Sequence, residues 1–200
     1  DFHKLYYDSH VWHTTQFLGV PTQKCPFDLF IYQEIITEIK PDYIIEAGTA
    51  FGGGALFLAT ICESLGKGKV LTIDITKQGT PPKHPRIEYL LGSSISPKVL
   101  EKVAKRVSGS KKVLVILDSD HSKSHVLKEL YVYNKFVTKG SYLIVEDTNV
   151  NAHPVYPEHG PGPMEALTEF LENNNEFEAD NAREKFLVTF NPRGYLKRIA

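Results

Sequence analysis

The sequence predicts an α/β protein: a mostly parallel seven-stranded sheet, helices on both faces, and an antiparallel hairpin at its carboxyl end. Three observations carry this. Short apolar runs alternate with helical stretches from residue 43 to residue 145, which argues strand–helix–strand units. Those runs, such as 113–117 (VLVIL), are continuously apolar, as strands covered on both faces must be. Five parallel strands are then followed by two close-spaced runs, 177–179 and 186–190, with no room for a crossover helix, so these two pair antiparallel.

The elements follow in order. Residues 1–25, rich in rings (Tyr6, Tyr7, Trp12, His13, Phe17), lack a clean period and read as an extended arm with one helical turn. Residues 26–200 form a single domain. It opens with a helix over 27–40 that carries Phe27, Phe30, Ile31, Ile35 and Ile39 at helical spacing and stops at Pro41. A strand at 43–47 leads to a helix at 52–65, ended by Gly66; strands follow at 69–75 and 86–91. Ser96 caps a helix over 98–107 with Pro97 in its first turn. The strand 113–117, an amphipathic helix at 125–136 and a strand at 142–145 complete the alternation. Residues 148–163 form a loop rich in Asn, His, Pro and Gly, read as a lid, before a helix at 164–171.

Composition excludes several classes. The 200 residues are 42% hydrophobic and 24% charged, with a net charge of -1 from 23 basic and 24 acidic side chains. No basic excess supports nucleic-acid binding, and no apolar run approaches the roughly 18 residues of a membrane span. Cys25 and Cys62 make no disulfide framework, which points to a reducing compartment, the cytoplasm. The chain opens on Asp1, which leaves an upstream segment open.

The first strand runs into Glu46-Ala47-Gly48-Thr49-Ala50-Phe51-Gly52-Gly53-Gly54 at a helix start. Glycines there bring backbone close to a ligand, but the register is not the Gly-x-Gly-x-x-Gly of a dinucleotide site, which disfavours an NAD-dependent oxidoreductase. A carboxylate two residues before the first glycine suits an amine-bearing ligand, and Asp74, ending the next strand, suits ribose hydroxyls. Amine, ribose and tight turn together describe S-adenosylmethionine (SAM). Its expected contacts are Glu46, Gly48, Thr49, Gly52, Gly53 and Asp74, with Ser93 and Ser94 after the third strand. For that serine pair, helix capping is an equal alternative.

The fourth strand ends Asp118-Ser119-Asp120-His121-Ser122-Lys123 and the fifth ends Glu146-Asp147. Parallel strands bring both ends to one edge, where Asp120, Glu146 and Asp147 would repel unless a hard cation such as Mg²⁺ joins them. Asp118 either ligates or orients this cluster, and is grouped here with the cofactor-binding residues. Lys123, its pKa depressed by neighbouring positive charge, or His121 is the expected general base; His125, His153 and His159 are further candidates. A two-His iron site on His121 and His125 is the lesser reading.

These segments resemble a known family. The run from Leu117 to Leu127, Gly140 to Asn149, Tyr6-Tyr7-Asp8-Ser9, Gly19-Val20-Pro21 to Cys25-Pro26, Gly160-Pro161-Gly162-Pro163 and Lys185-Phe186-Leu187 are similar to the cephalosporin hydroxylase (CmcI-like) family, which also contains rhamnosyl O-methyltransferases. The resemblance spans essentially the whole chain. It implies a Rossmann-like SAM-dependent methyltransferase fold, with Mg²⁺ ligands on Asp120, Glu146 and Asp147. More distantly, Asp120-His121-Ser122-Lys123 is similar to the Asp-His-Trp-Lys run of catechol O-methyltransferases; Ser122 in place of Trp leaves catechol selectivity open. The expected reaction is Mg²⁺-dependent methyl transfer from SAM to a hydroxyl oxygen of a small molecule (sugar, phenol or natural product), by a homo-oligomer with no nucleic-acid or membrane partner. The alternative is an accessory subunit of a hydroxylase-type tailoring system that keeps the fold.

Overall fold

The computed structural model describes all of residues 1–200. Strands β3 (Tyr43–Ala47), β4 (Lys69–Asp74), β5 (Ile87–Leu91), β6 (Val113–Leu117), β7 (Tyr142–Val145), β8 (Phe177–Ala179) and β9 (Tyr195–Arg198) form one sheet in the order β5-β4-β3-β6-β7-β9-β8. The first five are parallel, and β9 runs antiparallel to both its neighbours. The seven-stranded, mostly parallel sheet is as expected.

Helices cover both faces. On one, α4 (Pro97–Val107), α5 (Lys123–Tyr133) and α6 (Pro163–Glu172) bury Val99, Val103, Leu130, Leu167 and Phe170 against Ile45, Leu71, Val115 and Leu143. On the other, α2 (Pro26–Ile39) and α3 (Gly53–Ser64) bury Ile31, Ile35, Leu58 and Cys62 against Ile44, Val70, Ile116 and Ile144. Strand residues therefore serve the two cores alternately, which is why β6 has no polar side chain to spare. Ser96 caps α4 through Val99 N–H, as its sequence predicts. No helix is long and apolar enough to cross a membrane.

Two expectations need correction. The closing strand is β9, not residues 186–190. Asp28, buried in α2, accepts hydrogen bonds from Phe190 N–H, Thr189 Oγ1 and Tyr195 Oη, so this backbone is held by a carboxylate instead of a ladder. Phe190 instead anchors the amino-terminal arm, which is more structured than expected: α1 (Phe2–Asp8), a 3₁₀ turn (Val11–Thr14), and a small hairpin of β1 (Gln16–Phe17) and β2 (Val20–Pro21). Tyr6, Tyr7 and Trp12 pack on Cys25, Val188 and Phe190, and this burial gives the arm its order.

Candidate active site

The sheet grows outward from β3 through β4 to β5, then reverses through β6 on the other side of β3. Ligand crevices of open α/β sheets lie at the carboxyl ends of the strands at such a reversal. Here the ends of β3 and β6 touch: a Cβ on Gly48, at φ +103°, would lie 1.7 Å from the Asp118 carbonyl oxygen. Only glycine fits. Asp74 then clamps the turn, with Oδ2 accepting from Thr49 N–H at 3.1 Å and Ala50 N–H at 2.9 Å, while Oδ1 accepts from Thr76 N–H at 3.0 Å.

A cleft of about 530 Å³ runs from this turn along the sheet edge, lined by Gly48, Asp74, Ser93, Ser94, Asp118 and His125 among others. Ser94 Oγ lies 3.2 Å from His125 Nε2, and the latter is also 3.3 Å from Glu129 Oε1. His125 is thus engaged beneath the cleft, apart from His121, and the two do not form an iron site. Gly52 and Gly53 do not line the cleft: they open α3, with Gly53 packed against the Pro21 carbonyl. Nor does Glu46, which is 1% exposed and accepts a 2.6 Å hydrogen bond from Thr72 Oγ1. Burial raises its pKa to about 7, opposed by Lys24.

The acidic cluster forms, with a different membership from that expected. Asp118, Glu146 and Asp147 converge, whereas Asp120 faces the cleft with Oδ1 accepting from Ser122 N–H at 2.8 Å. Asp118 directly ends β6, so the strand aims it at the reversal; Asp120 lies two residues along the following turn. His121 Nε2 stands 3.3 Å from both Asp118 Oδ1 and Asp147 Oδ2. Lys24 Nζ bridges Asp118 Oδ2 and Glu146 Oε1, each at 2.6 Å.

Burial and the Asp118 charge lift the Glu146 pKa to about 8, with Lys24 opposing. Burial also raises Asp147, against His121. Burial alone would lower His121, but Asp147, Asp118 and Glu146 overcome it and hold the imidazole at about 9. Glu146, Asp147 and His121 thus favour their protonated forms, while Lys24 and His121 keep Asp118 ionised against its burial. With all three carboxylates ionised and His121 neutral, the acids and the Lys24 ammonium would sum to two negative charges, which one dication would neutralise. Oxygens of Asp118 and Asp147 lie within 4.8 Å of each other beside His121 Nε2, and carboxylate oxygens suit a hard ion. The residues fit Mg²⁺, with Asp118 where the sequence had suggested Asp120.

Lys123 faces away from this centre. Its Nζ pairs with Glu169 at 2.7 Å on the outer surface, and that carboxylate raises its pKa, where a base would need it depressed. His153 is likewise occupied: it and Asn151 bond Glu165 Oε1 at 2.8 Å, while Glu165 Oε2 accepts from Gly162 N–H at 2.7 Å. Residues 148–163 are thereby pinned to the start of α6, and their polar content fastens the loop instead of freeing a lid.

A second compartment of about 390 Å³ opens before His121 and Asp147, walled by Tyr7, Trp12, Tyr156 and His159. The arm thus builds part of the site. Sequence reasoning missed Lys24, a lone lysine without a motif; its one signal was its place in the Gly19–Pro26 stretch that shares the family resemblance.

A sheet of this order, with a glycine turn at its reversal and strand-end acids on β4, β6 and β7, has the architecture of a SAM-dependent methyltransferase, and its relatives make it an O-methyltransferase. More particularly, the chain belongs to the Rhamnosyl O-methyltransferase/CmcI family, whose model matches residues 9–199. A rhamnosyl O-methyltransferase of Mycobacterium leprae is 40% identical over 204 residues, covering 99% of this chain and 89% of that protein. One of Mycobacterium tuberculosis is 38% identical over 205 residues, covering 99% and 84%. A CmcI structure described as carrying Mg and SAM superposes with a TM-score of 0.71 at 19% identity, covering 94% of this chain and 78% of that one, a likeness of fold.

Proposed function

We propose that this protein transfers the methyl group of SAM to a hydroxyl oxygen of a glycosyl acceptor, with Mg²⁺ at the acidic cluster. The observation that carries this reading is the junction of the two spaces: the donor cleft and the acceptor compartment share Ala50, Asp118 and Ser119. A donor in the first and a hydroxyl in the second meet beside the acids. The glycosyl class is supported by the relatives, which are named for rhamnosyl O-methylation, and by ring-bearing walls that suit a sugar's apolar face.

The Gly48 turn lets the donor approach the backbone closely, and a ribose hydroxyl would reach Asp74 by displacing the long 3.4 Å bond that its Oδ1 accepts from Thr76 Oγ1. Ser93 and Ser94 line the same cleft toward its far end. When bound, Mg²⁺ supplies the positive charge that lowers the acceptor hydroxyl's pKa. His121, whose Nε2 stands beside Asp118 and Asp147, would in its neutral form accept the hydroxyl proton, with the ion held by carboxylate oxygens of the cluster. The acceptor oxygen bonds the methyl carbon as the carbon–sulfur bond breaks, leaving S-adenosylhomocysteine. Tyr7, Trp12 and Tyr156 hold the acceptor in line and exclude water, so much of the rate gain is positional.

The test combines calorimetry with SAM, with and without Mg²⁺, and methyl transfer to simple rhamnosides. SAM should bind, EDTA should abolish transfer, and His121→Ala should lose turnover at least about 100-fold while retaining SAM. No SAM binding overturns the reading. SAM binding with turnover only after adding a second protein would favour the accessory-subunit alternative.

A further inference from the structure

Lys24 has no step in this chemistry, yet the fold is shaped around it. The residue is 6% exposed, and its ammonium is enclosed by Asp118 and Glu146, with Glu46 adding a third negative charge. Burying an ammonium costs several kcal/mol unless it is well paired, so a plain filler would be an apolar side chain. Helix α3 also makes room for it: a Cβ on Gly54 would lie 2.9 Å from Lys24 Cε and 2.8 Å from Glu46 Oε1.

The contacts are specific to one oxygen of each acid. Lys24 takes Asp118 Oδ2 and Glu146 Oε1. Asp118 Oδ1 is left on the side of His121 and Asp147. Asp118 therefore keeps one oxygen for a cation, and Glu146 has its Oε1 tied to the ammonium. Mg²⁺ is suited to this, with near-octahedral ligands at about 2.0–2.1 Å, whereas Ca²⁺ takes six to eight oxygens at about 2.3–2.6 Å and readily uses both oxygens of a carboxylate. We propose that Lys24 is a positioning residue that makes the acidic cluster select Mg²⁺ over Ca²⁺, by engaging one oxygen each of Asp118 and Glu146 and cancelling one of the three carboxylate charges. This rests on the reading of the cluster as a dication site.

Removing the ammonium raises the negative potential for both ions, but the freed oxygens help only the larger one. The experiment titrates Mg²⁺ and Ca²⁺ separately, by calorimetry, into the full-length protein and into Lys24→Met. The ratio of calcium to magnesium affinity should rise about tenfold in the variant, within the range seen when a partner of a metal ligand is removed. An unchanged ratio, including equal weakening of both ions, would reduce Lys24 to a structural counter-ion and overturn the proposal. If the wild type binds neither ion, the dication reading itself fails, and the two failures are thus distinct. Circular dichroism checks folding; should Lys24→Met not fold, Lys24→Gln, which can donate to only part of the bridge, should show a smaller shift of the same sign, and none would be equally decisive.

Discussion

The two walls of the site are built in opposite ways. The turn on the proposed donor side is held by short-range bonds: Asp74 reaches Thr49 and Ala50 across 25 and 24 residues, and Thr49 reaches Thr72 across 23. It consists of backbone N–H groups and short side chains at strand ends. The acceptor wall is assembled from distant segments: Lys24 meets Asp118 and Glu146 across 94 and 122 residues, and His3 meets Asn149 across 146. Its groups are rings and charges whose places depend on the finished fold. Such a division lets acceptor choice change through the arm while the donor turn stays intact.

The comparison can be broken most forcefully at Asp74. Asp74→Ala removes the acceptor of two loop N–H groups together with the proposed ribose contact, at about 1.5–3 kcal/mol per charged hydrogen bond. SAM affinity should fall at least about 30-fold by calorimetry, with the Mg²⁺ affinity of the remote cluster changed far less. An equal loss of both would show that the walls are not independent.

A smaller effect is expected at Glu165. Burial would raise its carboxyl pKa, but Gly162 N–H, His153 and Asn151 together hold it down to about 2. A folded value below the free one means that its stabilisation is complete above the ordinary value of 4.5 and disappears as the pH falls toward 2. Glu165→Gln should thus be less stable than wild type by about 1–2 kcal/mol at pH 7 in denaturant titrations, and the gap should close across that acid range. A gap that does not narrow would remove the ionised carboxylate as the fastener of residues 148–163.

The smallest effect belongs to Lys123. Its surface pair with Glu169 is screened by solvent, and Lys123→Ala should change turnover less than about twofold. A large drop in kcat with unchanged SAM binding would restore Lys123 as the base.

What could be read from the sequence follows the same division. Most strand runs and the Ser96 cap are set by neighbours in the chain and are legible; Gly48 is legible as a turn, though it is the distant Asp118 carbonyl that makes glycine necessary there. Strand-end acids were placed at the correct edge, but Asp118 and Asp120 could not be ranked: which of two acids faces the reversal depends on where β6 stops. Glu46 read as a ligand because it precedes a glycine turn; strand alternation actually puts it with Ile44, on the face covered by α2 and α3. Phe190 read as strand because it is apolar, whereas its backbone N–H goes to Asp28, 162 residues earlier. Lys24 is the extreme case, for an isolated lysine carries no sign of the acids it will meet.

The packing of Tyr6, Tyr7 and Trp12 on Phe190 has a consequence for folding order. Joining Tyr6, Tyr7 and Trp12 to Phe190 closes a very long loop, and the entropy of that closure favours contacts made late. A growing chain can close the Gly48 turn once β6 exists, whereas the ring cluster of the arm has no partner until residue 190; the proposed donor and acceptor sides thus become available at different chain lengths.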